Sequence, residues 1–174
     1  MKRSRYTEEQ IIAVLREHEV RLGEDMLPAE RWTLACPALP SCGLALTEAE
    51  RVQEDIVAAI EARLRNYGLE RERLSIRITG CPNGCARPYT GDIGIVGRMP
   101  GFYAVFVGGD FAGTRLNVPL IDKVPLNGIA EILDPLFALF ASARAEGEGF
   151  GDFCHRIGMP ALQQALAERQ KGAA

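Results

Sequence analysis

Four of the five cysteines in this chain of 174 residues fall in two close pairs, and no other feature restricts the fold so far. Cys36 and Cys42 enclose Pro37-Ala38-Leu39-Pro40-Ser41, while Cys81 and Cys85 enclose Pro82-Asn83-Gly84. Each pair lies in a stretch rich in Pro, Gly, Ser and Asn, just beyond a short apolar run. Loops of this kind keep backbone N–H groups free to bond sulfur, and the apolar runs before them supply rigid elements that aim both loops at one point. Glycine between or beside the thiols lets the backbone approach a bulky group closely.

Thiols in such pairs serve as disulfides, as ligands, or as unrelated side chains. Clustered cysteines in an exported protein point to disulfides, and in a cytoplasmic one to metal or redox chemistry. The basic opening Met1-Lys2-Arg3-Ser4-Arg5 lacks the unbroken apolar stretch of a signal peptide, and no apolar run reaches the roughly 18 residues of a membrane span. The expectation is a cytoplasmic protein without a membrane partner. A net charge of −3 provides no positive field for nucleic acid, so none is expected as a partner. Four thiolates suit tetrahedral zinc or an iron–sulfur cluster. Structural zinc pairs are usually spaced by two to four residues, which the first pair exceeds, so the spacing favours the cluster while leaving zinc and unrelated thiols open.

Periodicity places these loops in a coarse architecture. Residues 6–20 read as an amphipathic helix with Thr7 as N-cap and Ile11, Val14, Leu15 and His18 on one face. Residues 21–31 read as a loop, and 32–35 as a strand delivering the chain to Cys36. Thr47-Glu48-Ala49-Glu50 has the pattern of a capping box opening a helix to about residue 66, with Val52, Ile56, Ala59, Ile60 and Leu64 inward and Gly68 as its stop. Leu74, Ile76 and Ile78 alternate with polar residues as in a half-buried strand leading to Cys81. Further strands are expected at 92–97, 102–108 and 113–118. Helices follow at 128–145, where Pro135 stands inside, and at about 152–157 and 160–170. The fold class is α+β, with a small, mostly antiparallel sheet flanked by helices.

The remaining candidates have plainer readings. Cys154 reads as a buried small residue and Trp32 as core. His18 and His155 read as structural or surface residues, so a hydrolytic triad has no support. Gly94, Gly97, Gly101, Gly108 and Gly109 stand between strands, where turns and bulges explain them better than a phosphate loop.

The segments Cys36–Cys42 and Gly80-Cys81-Pro82-Asn83-Gly84-Cys85-Ala86-Arg87-Pro88 closely resemble the two cysteine motifs of the siroheme-dependent sulfite and nitrite reductases. The resemblance also covers Leu46–Arg51, Ile93–Gly97, Gly108-Gly109, Gly113–Leu116 and Gly147–Phe153, and spans about residues 23–170. Within that family the chain is most similar to the C-terminal part of the sulfite-reducing hemoproteins. The resemblance implies one 4Fe–4S cluster held by Cys36, Cys42, Cys81 and Cys85, with Cys85 also the axial ligand of siroheme. It makes Asn83 a candidate donor to a siroheme carboxylate or a cluster sulfur. The implied reaction is the six-electron reduction of sulfite to sulfide. The implied electron donor is an NADPH flavoprotein component or ferredoxin, and the implied further partners are the N-terminal reductase domains. Those domains carry the substrate-holding cations in the family, so Arg77, Arg87, Arg98, Arg115 and Lys123 are not assigned to sulfite and the chain alone is expected to be inactive. Residues 1–19 resemble the opening of an insertion-sequence transposase, which makes 1–22 an N-terminal helix of foreign origin and 23–174 the cluster domain.

Overall fold

The computed structural model describes residues 6–20 and 23–172, so the basic opening at 1–5 and positions 21–22 lie outside the described residues. Helix α1 (Glu8–Glu17) begins where the sequence places it. Thr7 Oγ1 accepts from the Gln10 N–H, and the Gln10 side chain accepts from the Thr7 N–H. None of its residues is buried, so the apolar face of 11, 14 and 15 has no core behind it. The loop expected at 21–31 contains a short helix, α2 (Pro28–Arg31), with Pro28 at its first position, where a missing N–H costs nothing.

Five strands form one sheet in chain order: β1 (Thr33–Ala35), β2 (Ile76–Thr79), β3 (Ile93–Met99), β4 (Phe102–Val107) and β5 (Val118–Pro125). The α+β class holds, and the sheet is mixed. β1, β2 and β3 are parallel neighbours, and β3, β4 and β5 are antiparallel. Parallel pairing requires long crossovers. The β1–β2 crossover carries helix α3 (Gln53–Arg65), and the β2–β3 crossover carries the second cysteine pair.

One face of the sheet is the main core. Ile76, Ile78, Ile93, Ile95, Val105 and Val107 meet Ile56, Ile60 and Leu64 of α3 and Leu133, Phe137 and Phe140 of α4 (Ile129–Ala143). Each such side chain, fully buried, contributes ~1.5–3 kcal/mol. α5 (Phe150–Ile157) and α6 (Met159–Gly172) complete that layer. The segment Leu126–Ala143 is long and apolar enough by composition to cross a membrane, but its apolar face is this core. The opposite face has a smaller cluster, Val96, Ala104 and Phe106 with Tyr89. β2 is more buried than the half-buried strand its alternation suggests: Ile76, Ile78 and Thr79 are buried and Arg77 is partly buried.

Four local expectations are corrected. Thr47 makes no helix cap: its hydroxyl donates to Tyr103 Oη at 2.8 Å, and α3 starts only after a 3-10 turn at Glu50–Val52. Ala59 lies on the exposed side of α3. The strand expected at 113–118 begins where that range ends. Residues 110–115 form a turn in which Asp110 accepts from the Thr114 and Arg115 N–H groups. Trp32 is not core. It remains 42% exposed, edge-on to Phe111 with ring centres 5.2 Å apart.

Candidate functional site

Parallel pairing determines where the cysteines go. Thr33 aligns with Ile76 and Ala35 with Ile78, so β1 and β2 release their chains at the same end of the sheet. Cys36 extends the ladder by one bond, its N–H donating to the Ile78 carbonyl at 3.0 Å. The Gly80 N–H then donates to Cys36 Sγ at 3.3 Å. The first sulfur therefore rests on the backbone of the second loop, with a donor already directed at it.

The first loop folds back over Gly80. Its carbonyl accepts the N–H groups of Leu46 at 2.8 Å and Thr47 at 3.1 Å, and the Glu50 N–H returns to the Cys36 carbonyl at 3.2 Å. A side chain at 80 would leave no room: a Cβ would stand 2.5 Å from the Ala38 Cβ and 2.6 Å from the Thr47 carbonyl oxygen. Thr47 is buried and tied to Tyr103, whose hydroxyl donates to the Glu48 carbonyl at 2.9 Å. Burial pushes the Tyr103 hydroxyl above its usual pKa, so it stays a donor.

The second loop crosses to the other face of the sheet. Gly84 takes a left-handed backbone (φ +73°) and its carbonyl accepts the Arg87 N–H at 2.8 Å. The Tyr89 hydroxyl donates to the Pro82 carbonyl at 3.0 Å, while its ring stands edge-on to Phe106. The Asn117 amide donates to the Pro88 and Gly91 carbonyls at 2.6 and 3.1 Å. Residues 82–91 are thus strapped across β3.

All four loop thiols are free, and their exposure is graded: Cys81 buried, Cys36 and Cys42 half-buried, Cys85 exposed. Asn83, near the tip of the second loop, is exposed beside Cys85 in the chain. Among the described residues no three His, Cys, Asp or Glu side chains sit together as ligands of one metal ion. Zinc–sulfur bonds of 2.3 Å would put the sulfurs about 3.8 Å apart, a tetrahedron these thiols do not form. A 4Fe–4S cluster takes four thiolates with N–H donors to sulfur, and the four free loop thiols with the Gly80 N–H on Cys36 Sγ supply that donor chemistry.

Other candidates fall elsewhere. Cys154 lies within α5 with its side chain buried, and burial with the nearby Asp92 carboxylate pushes its thiol far above the usual range. Arg115 is occupied by the Gly108 and Gly109 carbonyls and Asp152, Arg98 by Asp122, and Lys123 by the Phe102 ring. A cavity of about 380 Å³ lined by Arg73, Asp92, Arg144 and Asp152 lies near the starting end of β3, away from where β1 and β2 release the cysteines. Sequence reasoning missed the Thr47–Tyr103 pair that holds the first loop, because 56 residues separate the partners and neither carries a local signal.

Residues 28–173 match the family described as the nitrite and sulphite reductase 4Fe-4S domain. The chain is 46% identical over 148 residues to the sulfite reductase [NADPH] hemoprotein beta-component of Bordetella petrii, covering 85% of this chain and 25% of that protein. It is 43% identical over 161 residues to the sulfite reductase [ferredoxin] of Synechococcus elongatus, covering 92% and 26%. The solved structure of the NirA protein of Mycobacterium tuberculosis superposes with a TM-score of 0.72 at 25% identity, over 88% of this chain and 30% of that one. The chain spans about a quarter of the length of these curated relatives. With 146 consecutive residues matched and both cysteine loops inside the match, this chain belongs to the nitrite and sulphite reductase 4Fe-4S domain family.

Proposed function

We propose that Cys36, Cys42, Cys81 and Cys85 hold one 4Fe–4S cluster, that Cys85 also ligates siroheme iron, and that the chain is the cluster-bearing part of a sulfite reductase. The single observation supporting this most is the release of two cysteine loops from the same end of adjacent parallel strands, joined by the Gly80 N–H on Cys36 Sγ. When bound, the cluster would relay electrons from an external donor, and the siroheme would supply the iron at which sulfite is reduced to sulfide.

The chain's own residues do the rest of the local work. The Gly80 N–H donates to Cys36 Sγ and so ties the first thiol to the backbone of the second loop. The Thr47–Tyr103–Glu48 hydrogen bonds hold the first loop at a fixed height over the sheet. Burial of Cys81 excludes water from the inner side of the site, while exposure of Cys85 leaves a sulfur reachable by a second cofactor. Asn83, exposed on the same loop, is a donor for a siroheme carboxylate or a sulfur.

The family resemblance assigns the cations that grip siroheme and sulfite to regions outside the matched portion. We therefore propose that turnover needs those N-terminal domains, on this or another polypeptide. It also needs an electron donor of the NADPH-flavoprotein or ferredoxin class, after the names of the relatives. The 23–174 portion is the cluster domain in this proposal, with α1 outside it. The test is siroheme titration of the anaerobically reconstituted chain, followed by absorption. A siroheme spectrum that changes with the wild type and not with Cys85→Ser supports the axial assignment, and identical spectra overturn it. Sulfite reduction by the purified chain with an artificial donor would refute its dependence on the other domains.

A further inference from the structure

Thr79 closes β2, two residues before Cys81, and is fully buried, yet its hydroxyl has no hydrogen-bond partner. A buried polar group without a partner is costly, and native proteins keep few of them without reason. The fold shows which way this hydroxyl faces. Side chains alternate along β2, and Ile76 and Ile78 belong to the helix-covered core. Arg77 and Thr79 therefore face the other side of the sheet. There Thr79 is aligned with Val96, which packs with Ala104, Phe106 and Tyr89. That side is roofed by the second cysteine loop: the Tyr89 hydroxyl holds the Pro82 carbonyl, and a Cβ at Gly94 would meet the Pro88 carbonyl oxygen at 2.1 Å. A donor without an acceptor thus lies beneath the loop that carries Cys81 and Cys85. β2 pairs with β1 over Ile76–Ile78 and with β3 over Ile76–Thr79.

Resting on the cluster assignment above, we infer that the Thr79 hydroxyl is a hydrogen-bond donor to an inorganic sulfur of the cluster, and so sets the cluster's reduction potential. Sulfur carries more negative charge in the reduced state, so a donor aimed at it favours reduction and raises the potential. The Gly80 N–H is already directed at Cys36 Sγ, and Thr79 would add a donor from beneath the second loop.

The experiment compares wild type, Thr79→Val and Thr79→Ser, each reconstituted anaerobically with iron and sulfide. Iron is counted and the potential is measured by spectroscopic redox titration. Thr79→Val is expected to keep full iron and shift the potential negative, with Thr79→Ser staying near wild type. Before iron is added, Thr79→Val is expected to melt higher than wild type, because it replaces an unpartnered buried hydroxyl with a methyl. An unchanged potential in iron-loaded Thr79→Val overturns the inference, as does a lower melting point before loading, since the hydroxyl would then have a partner within the chain. Equal shifts in the Val and Ser variants also overturn it, by assigning the effect to shape. Absence of iron uptake by the wild type overturns the cluster assignment itself, and this inference with it.

Discussion

Gly80→Ala puts the packing of the two loops to a direct test. The added Cβ would meet the Ala38 Cβ at 2.5 Å, the Thr47 carbonyl oxygen at 2.6 Å and the Ala45 Cβ at 3.3 Å. None of these atoms is the movable end of a long side chain, so the first loop must lift. Overpacking of this kind costs ~1–3 kcal/mol. Lifting also strains the Leu46 and Thr47 N–H bonds to the Gly80 carbonyl, each worth ~1 kcal/mol net. Against this, alanine restricts the unfolded chain and returns ~0.4–1 kcal/mol. The net loss is about 2–3 kcal/mol, a fall in Tm of roughly 5–10 °C for a chain of this size. Gly43→Ala is the control: it lies in the same loop with nothing within 4 Å of its Cβ, and its stability should stay within about 0.5 kcal/mol of wild type. Urea unfolding and a thermal melt of the iron-free protein give both numbers. A Gly80→Ala variant as stable as Gly43→Ala would refute the claim that the two loops are packed through position 80.

Further expectations follow from the same geometry. Tyr103→Phe removes the hydroxyl shared by Thr47 and Glu48 and should cost about 1–2 kcal/mol in urea unfolding, with faster alkylation of Cys36 and Cys42 as their loop loosens. In the reduced, iron-free protein, thiol labelling followed by mass spectrometry should modify Cys85 first and Cys154 last, because Cys154 is buried and its thiol is held protonated. Hydrogen bonds from Arg156 hold the Glu148 carboxyl down to about 2 from 4.5. A depressed folded-state value gives stability present above pH 4.5 and lost as pH falls toward 2, so Glu148→Gln should flatten that part of the stability curve. Asp92 behaves oppositely. Burial raises its carboxyl pKa despite hydrogen bonds from Ser75 and Gly151, so its share of stability grows as pH falls through its folded value, and Asp92→Asn should remove that rise.

The candidate site was read from cysteine spacing and the residues between, which are local features of the sequence. Helices α1, α4, α5 and α6 were legible too, through the apolar period, the Thr7 cap of α1 and the glycines beside the other three. What escaped depended on distant partners. Thr47-Glu48-Ala49-Glu50 has the pattern of a capping box, yet Tyr103, far along the chain, captures the threonine hydroxyl. Strand β5 was placed too early because Pro119, Asp122, Lys123 and Pro125 disguise it, and an edge strand tolerates all four. Parallel pairing of β1 with β2 carries no sequence period of its own, since it depends on a crossover of some 40 residues and not on a turn. That pairing is what brings Cys36 beside Gly80.

The central claim is that the four loop cysteines hold one 4Fe–4S cluster. Its most direct test is the count of iron and acid-labile sulfide per chain after anaerobic reconstitution, with zinc offered in equal amount and the Cys42→Ser variant alongside. The account predicts about four irons and four sulfides per wild-type chain with broad visible absorbance, and loss of both in the variant. A colourless chain that takes one zinc, or no metal at all, would contradict it.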